Sequence, residues 1–469
     1  RGTKPVMWSP VEKTALADAE VEYKNITSES VYVSFNLCKN KSSLNDIAII
    51  IWTTTPWTIP GNQAIAYGAN IKYSAFKIIN SENIKLIGRK FIAAASLLEK
   101  IKKDCCIFDI EIIETFIGKK LAGLESYHAL SSKGYNQVSP LIEGDFVEET
   151  EGTGFVHIAP AYGEDDYNLA KKNDIPIIDI IRDNGTYKEN VKLFSNLHVF
   201  KVTDRVIEKL IECKSLIGQM TYKHSYPHSW RSKKPIIYRA TPQWFISMSR
   251  ENLRSKALES IEEIDWIPKN SKKRIKNMVE SRPDWCVSRQ RAWGVPLTIF
   301  IHKKTGEPLR DQITMDKIID DVEKNGSDIW LSDDPYQYLS KDKNKEDYHV
   351  VKDILDVWFD SGSTHAFVLE NKLKWPADLY LEGTDQHRGF FQSSLLESCA
   401  TRNRAPFKTV LTHGFVLDGE GKKMSKSIGN VISPENIIKK SGVDILRLWV
   451  SITDYTDDMR ISDKIISNL

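Results

Sequence analysis

Ala377-Asp378-Leu379-Tyr380-Leu381 runs into Glu382-Gly383-Thr384-Asp385-Gln386-His387-Arg388-Gly389 and then into the stretch Phe390–Ala400. The first five residues read as a strand and the last eleven as a helix, joined by a polar, glycine-bearing turn. A second strand, Thr409–Thr412, exits into His413-Gly414. Beyond it come Asp418-Gly419-Glu420-Gly421-Lys422-Lys423-Met424-Ser425-Lys426-Ser427 and Ile428-Gly429-Asn430, then expected helices at Pro434–Lys440 and Val443–Val450. This alternation of β and α predicts a parallel sheet. Ligands bind outside the carboxyl ends of such strands. Glu382, Asp385, Gln386, His413 and the lysines are therefore candidate site residues on topology alone.

The lysine stretch places Lys422, Lys423 and Lys426 among Gly419, Gly421 and Gly429. Glycine lets backbone approach a ligand closely, and lysine is a compact point charge suited to phosphate. By composition alone the same residues also suit a solvated basic loop.

The chain is 469 residues long, more than one hydrophobic core normally supports, so two or three domains are expected. Hydrophobic residues make up 41% and charged residues 27%, as in a soluble globular protein. A net charge of only +2 leaves any nucleic-acid contact to local patches such as Ser271–Lys276 or Arg231–Lys234, each of which equally suits a solvated face. The six cysteines form no Cys-x-x-Cys pair, so neither a zinc knuckle nor a disulfide framework is indicated, which fits a reducing, cytoplasmic setting. No run of about 18 apolar residues exists, so no membrane span or membrane partner is expected.

Residues 1 to about 25 read as a turn-rich lead and a short mixed segment. From about residue 30 the character is β. Ser30–Leu37 alternates, Ile47–Trp52 is a buried-strand run, and Tyr73–Ile79 and Ile107–Thr115 are further strands, with a helix expected around Lys90–Lys102. The strand at Ile47–Trp52 exits into Thr53-Thr54-Thr55-Pro56-Trp57-Thr58-Ile59-Pro60-Gly61-Asn62. Four threonines in six residues fit a functional loop or simple β-propensity with equal ease. Gly152–Tyr167 supplies a glycine turn, a strand carrying His157, and a helix start with Glu164, Asp165 and Asp166, where acidic residues also complement the helix dipole. Together these segments offer hydroxyls, an imidazole and a carboxylate to one polar pocket. Helix Val199–Glu212 closes the region.

Beyond about residue 224 the sequence is richer in Trp, Arg and Pro, with a helix expected at Arg250–Glu259. It includes Asp284-Trp285-Cys286-Val287-Ser288-Arg289-Gln290-Arg291-Ala292-Trp293-Gly294-Val295-Pro296. Helix Thr314–Glu323 and the charged stretch at 341–347 look like a peripheral insertion, and Val357–Ser363 reads as a strand or turn bearing an exposed aromatic, Trp358.

The run Lys423-Met424-Ser425-Lys426-Ser427, with Glu382–Phe391, Asp284–Pro296 and Leu446–Met459, resembles the class I aminoacyl-tRNA synthetases, and within them the isoleucyl branch of bacterial type. The likeness covers essentially the whole chain. It implies an α/β fold: the second half of a Rossmann-type catalytic domain (224–469) with an inserted β-rich editing domain (30–223) and a lead-in (1–29). It implies ATP with Mg²⁺, isoleucine and tRNA(Ile) as partners, a monomer, and hydrolytic editing of valyl products. By motif position, Lys423 and Lys426 embrace the triphosphate, and Glu382, Gly383 and His413 line the adenylate site. Asp385 and Gln386 hold the amino acid, and Trp358 packs on its side chain. Thr53, Thr54, Thr55, Thr58, Asn62, His157 and Asp166 fall on the editing positions.

Several residues depart from the family pattern. No His-x-Gly-His tetrapeptide occurs, and the family places that ATP motif upstream of Arg1 and the anticodon-binding domain beyond Leu469. The chain is thus expected to be a piece that does not activate amino acid alone. Ser9, Ser229 and Ser232 stand where relatives carry cysteines, so no metal, zinc included, is expected there. Phe390 replaces a commoner tryptophan, and Tyr162 a frequent histidine. Two other functions remain open: a valyl or leucyl sibling, and a truncated editing or tRNA-binding module.

Overall fold

The computed structural model of the chain describes residues 1–39, 44, 46–332, 334–426 and 428–469. Ser427, the last residue of the lysine run, lies outside the described residues. The chain divides into two compact units, Arg1–Trp244 and Phe245–Leu469.

The first unit is built on sheets. A six-stranded sheet runs in the order Leu216–Ser229, Val21–Asn36, Ala48–Thr53, Lys90–Ala94, Lys72–Ser81, Ile107–Ile117. All its pairings are antiparallel except that of Ala48–Thr53 with Lys90–Ala94. The continuous run Ala48–Ile51 sits in the middle of it and is buried along its whole length, as a strand covered on both faces must be. A second sheet runs Phe155–Ile158, Ala64–Tyr67, Val138–Glu143, Glu125–Tyr127, with His157 opposite Ile65 and Ser139 opposite Ser126.

Two expectations for this unit are corrected. The turn-rich lead is a strand, Gly2–Ser9, paired along its length with Ile237–Gln243. The helix expected at Lys90–Lys102 divides into a strand, Lys90–Ala94, and a helix, Leu98–Asp104. Phe91, Ile92, Ala93 and Ala94 are wholly buried on successive positions, a burden that a sheet flanked on both sides accommodates and a surface helix does not. The three serines at the expected metal-free corner converge instead on Glu12. Its Oε1 accepts from Ser229 Oγ at 2.5 Å and from the Ser232 N–H, while Ser9 Oγ accepts from the Glu12 N–H.

The second unit holds the expected parallel sheet, in the order Asp265–Ile267, Phe407–His413, Ala377–Gly383. Helix Phe390–Arg402 packs Phe391, Leu395 and Leu396 into the core with Val410 and Phe407 of the sheet. Phe390 stacks on Tyr380, centroids 4.9 Å apart, so the smaller ring still covers the sheet. The expected peripheral insertion has its own core of Phe300, Ile318, Ile329, Trp330, Tyr338 and Leu339.

Val357–Gly362 is a helix rather than a strand or turn. Asp356 caps it, its Oδ1 accepting from the Trp358 N–H at 3.1 Å. No helix among the described residues is long and apolar enough to cross a membrane.

Candidate functional site

In the first unit the threonine run leaves strand Ala48–Thr53 and winds into a short 3₁₀ helix, Pro56–Gly61, with proline at its first position. Buried donors reach two of its carbonyls, that of Trp57 and that of Ile59, which also accepts from the Asn62 N–H at 3.0 Å. The Tyr187 hydroxyl donates to Trp57 O at 2.5 Å and His128 Nε2 to Ile59 O at 3.0 Å. Tyr162, the family departure, packs edge-on against Trp57 and also accepts from the Ile180 N–H at 2.6 Å, so it braces this helix from beside it.

The side chains inside the loop form one network. Thr53 Oγ1 lies 3.2 Å from Thr55 Oγ1, and Thr58 Oγ1 donates to Thr55 O at 2.9 Å. Thr58 Oγ1 also lies 3.0 Å from His157 Nε2, and His157 Nδ1 lies 2.7 Å from Asn62 Nδ2. Asn62 Nδ2 donates to Ala64 O at 2.8 Å, and Asn62 Oδ1 accepts from Ser139 Oγ at 2.5 Å. Among the described residues Thr54 takes no part, so of the four hydroxyls it is the one without a partner there. Asp166 Oδ2 accepts from the Ala159 N–H at 2.8 Å, two residues beyond His157, and burial pushes its carboxyl up to about 6. Burial also drives His157 down to about 3 and His128 down to about 4, so both imidazoles are neutral at physiological pH. Ser139 was not legible as part of this site: it is a lone serine in a strand, 77 residues from Asn62, with no motif around it.

In the second unit Gly383 and His413 end neighbouring parallel strands and stand side by side in register. A Cβ at Gly383 would lie 2.6 Å from Asp385 Oδ1 and 3.6 Å from His413 Cε1, so the bare backbone is what lets the carboxylate close over the strand end. Gln386 is held at both ends, its Nε2 donating to Asp385 Oδ2 at 3.1 Å and its Oε1 accepting from the Phe390 N–H at 3.1 Å. A Cβ on Gly389 would meet the Trp358 ring at 2.5 Å and Gln386 Oε1 at 2.8 Å, so Trp358, Gln386 and Gly389 share one corner. The Trp358 indole N–H is buried with no acceptor among the described residues. Glu382 and Asp385 are exposed, and His413 Nδ1 donates to Gly414 O at 2.8 Å.

The helix that carries Trp358 is anchored by a buried ion pair. Asp356 Oδ2 lies 2.9 Å from Arg289 Nη2 and accepts from Trp285 Nε1 at 3.0 Å, with both charged side chains almost wholly buried. The Asp284–Pro296 motif thus acts on this corner through Asp356.

The lysine stretch is a hairpin. Strand Val416–Leu417 pairs with Met459–Arg460, and Asp418 N donates to Lys422 O at 2.9 Å across a turn with Gly421 at φ +80°. Asp418 gathers the loop, accepting from the Glu420 and Lys422 N–H groups and from Asn430 Nδ2 at 2.8 Å. Met424 packs against the cluster of Ile437, Trp449, Ile461 and Ile466. The lysines differ: Lys422 is paired with Glu420 at 2.7 Å, Lys423 Nζ lies 5.5 Å above the Phe415 ring, and Lys426 is exposed without an acidic partner among the described residues. Elsewhere, Lys272 and Lys276 of the basic segment both pair with Glu262, and Arg274 donates to Thr384 Oγ1, so much of that charge is spent internally.

With this geometry in view, the family model for tRNA synthetases class I (I, L, M and V) matches residues 1–462. The chain belongs to that family. It is 51% identical over 469 residues to an isoleucine–tRNA ligase of Pelagibacter ubique (strain HTCC1062), covering 99% of this chain and 52% of the relative. It is 46% identical over 484 residues to that of Gluconobacter oxydans (strain 621H), covering 99% and 50%. The chain therefore spans about half the length of the curated relatives it matches. Among solved structures, a leucyl enzyme in a ternary complex from Agrobacterium radiobacter K84 aligns over 99% of this chain and 56% of its own at 15% identity and a TM-score of 0.34, a likeness too distant to carry weight.

Proposed function

We propose that this chain is part of an isoleucine–tRNA ligase, which activates isoleucine with ATP and transfers it to tRNA(Ile). The observation that carries this is the convergence of Gly383, Asp385, Gln386, Trp358 and His413 at the ends of two parallel strands, in a chain 51% identical to a relative bearing that name. Residues 224–469 would supply the catalytic domain and 30–223 the editing domain, with 1–29 leading in.

In activation the isoleucine carboxylate attacks the α-phosphorus of ATP and pyrophosphate leaves. No covalent enzyme intermediate is needed, so positioning and charge neutralisation do the work. Asp385, fixed by Gln386, would receive the α-ammonium, and Glu382 would contact the adenylate beside His413. Trp358 would cover the side chain. Lys426 and Lys423 would meet the phosphates of ATP, whose Mg²⁺ enters as part of the substrate. Lys422, already neutralised by Glu420, would not. The glycine-flanked hairpin, held at its base by Asp418 and Asn430, leaves its tip free to close and reopen.

One methylene separates isoleucine from valine and is worth only about 1–3 kcal/mol, the isoleucyl enzyme being the standard case of this limit. Hydrolysis of valyl products at a second site follows from that arithmetic. Asp166, ionised above its raised range, would hold the valyl α-ammonium there, and Thr54 would present its hydroxyl to water or ester. Thr53, Thr55, Thr58, Asn62 and His157 would shape the loop. The protein would act as a cytoplasmic monomer.

Amino-acid-dependent pyrophosphate exchange by the complete gene product, with isoleucine, valine and leucine compared, tests the assignment. A clear preference for valine or leucine would give it to a sibling. An editing module is the second possibility, favoured by the threonine network lying wholly within Arg1–Trp244. Deacylation of valyl-tRNA by this chain, without exchange activity, would support that alternative.

A further inference from the structure

We propose that Ser139 and Asn62 are positioning residues that lock His157 as the Nε2–H tautomer, so that His157 serves the threonine loop as a fixed hydrogen-bond donor and never as a proton acceptor. The functional consequence rests on the editing assignment above; the tautomer does not.

Proton accounting fixes the direction of every bond. Asn62 Nδ2 lies 2.8 Å from Ala64 O, a pure acceptor, so the amide nitrogen must face that way and Oδ1 the other. Ser139 Oγ, wholly buried, then has to donate to Oδ1, which secures the same orientation from the opposite side. The second N–H of the amide points at His157 Nδ1 from 2.7 Å, so Nδ1 carries a lone pair and the ring proton sits on Nε2. Nε2 faces Thr58 Oγ1 at 3.0 Å, and the Thr58 hydroxyl proton is committed to Thr55 O at 2.9 Å, so Thr58 is free to accept. Every partner is satisfied in one arrangement only. Reversing His157 would set Nδ1–H against an amide N–H and leave two buried donors facing each other.

Charge does not supply an escape. The titratable group that acts on His157 most is His128, itself buried and donating from Nε2 to Ile59 O while its Nδ1 accepts from the Leu130 N–H. No carboxylate bonds either ring among the described residues, and burial disfavours the imidazolium. His157 therefore cannot take a proton from an attacking water: its lone pair is capped by Asn62 and its other nitrogen already holds a proton. Its part is to orient Thr58, and through Thr58 the backbone at Thr55, next to the unspent hydroxyl of Thr54.

The test is ¹⁵N NMR of the chain labelled at histidine, with the His157 resonances identified by their absence in His157→Gln. The expected result is a proton on Nε2, a bare Nδ1, and no titration between pH 5 and 8. Asn62→Asp puts an acceptor at Nδ1 and should make His157 titrate within that range. Ser139→Ala should introduce a population with the proton on Nδ1, because the amide loses one of its two anchors. A wild-type His157 that carries its proton on Nδ1 or titrates between pH 5 and 8 overturns the proposal, and an unaltered tautomer in Ser139→Ala overturns the role of Ser139. Deacylation of valyl-tRNA followed over the same range separates the two levels. A wild-type profile free of a histidine inflection, with one appearing in Asn62→Asp, agrees with the lock. A wild type that does not deacylate at all removes the editing assignment, and the spectra still decide the tautomer.

Discussion

Gly383→Ala is the sharpest perturbation of the strand-end corner. Gly383 has φ −64° and ψ 154°, a conformation alanine adopts readily, so the backbone is unstrained by the change. The new methyl lies 2.6 Å from Asp385 Oδ1, against about 3.5 Å for ordinary contact, so the carboxylate must retreat by about 1 Å. Asp385 is exposed and its side chain can swing away, which keeps the loss of stability below about 1 kcal/mol. What is lost is the aimed carboxylate. A hydrogen bond to a charged group contributes about 1.5–3 kcal/mol, so isoleucine binding should weaken about ten- to a hundredfold. Pyrophosphate exchange measured against isoleucine concentration reads this as a raised KM, with thermal unfolding as the control. Asp385→Ala and the double variant complete a cycle: if glycine matters only by admitting Asp385, the double should be no worse than Asp385→Ala alone. A Gly383→Ala protein with an unchanged KM, or effects that simply add, would refute the reasoning.

Lys426→Ala should lower the exchange rate by at least about tenfold while Lys422→Ala changes it little, since Lys422 is already occupied by Glu420; equal losses would contradict the division of roles. His128 and His157 have folded values below their unfolded one, so the unfolded chain binds protons more readily, and the stability they allow is complete above about pH 6.5 and falls as pH drops towards 4 and 3. Between pH 7.5 and 5 each should account for a loss of about 2 kcal/mol, read as the pH dependence of chemical unfolding of the Arg1–Trp244 unit and absent for His157 in His157→Gln. Asp356→Asn removes the carboxylate paired with buried Arg289 and the acceptor of the Trp285 indole, and should destabilise the Phe245–Leu469 unit by about 3–5 kcal/mol, which thermal unfolding will show as a lowered transition.

The β–α–β alternation of the last third was legible because strand, turn and helix differ in period and the turn is glycine-bearing, so the strand-end cluster followed from topology. Val357–Ser363 was misread because its apolar residues are consecutive; the decisive signal was Asp356, one residue upstream, acting as a cap. Lys90–Lys102 failed for the opposite reason, since its lysines and alanines favour helix while burial of Phe91–Ala94 in the sheet overrides propensity. The threonines, Asn62 and His157 could be named from motif position, yet their division into spent and unspent hydroxyls depends on hydrogen bonds over separations of up to 99 residues. The same holds for the lysines, whose inequality arises from Glu420 and Phe415 beside them.

We propose that the corner formed by Gly383, Asp385, Gln386 and Trp358 selects isoleucine for activation. Isoleucine-dependent pyrophosphate exchange by the complete gene product measures it directly. Exchange with isoleucine is expected at a kcat/KM about 10- to 200-fold above that for valine, the discrimination one methylene allows. No isoleucine-dependent exchange, or exchange that favours valine or leucine, would contradict it.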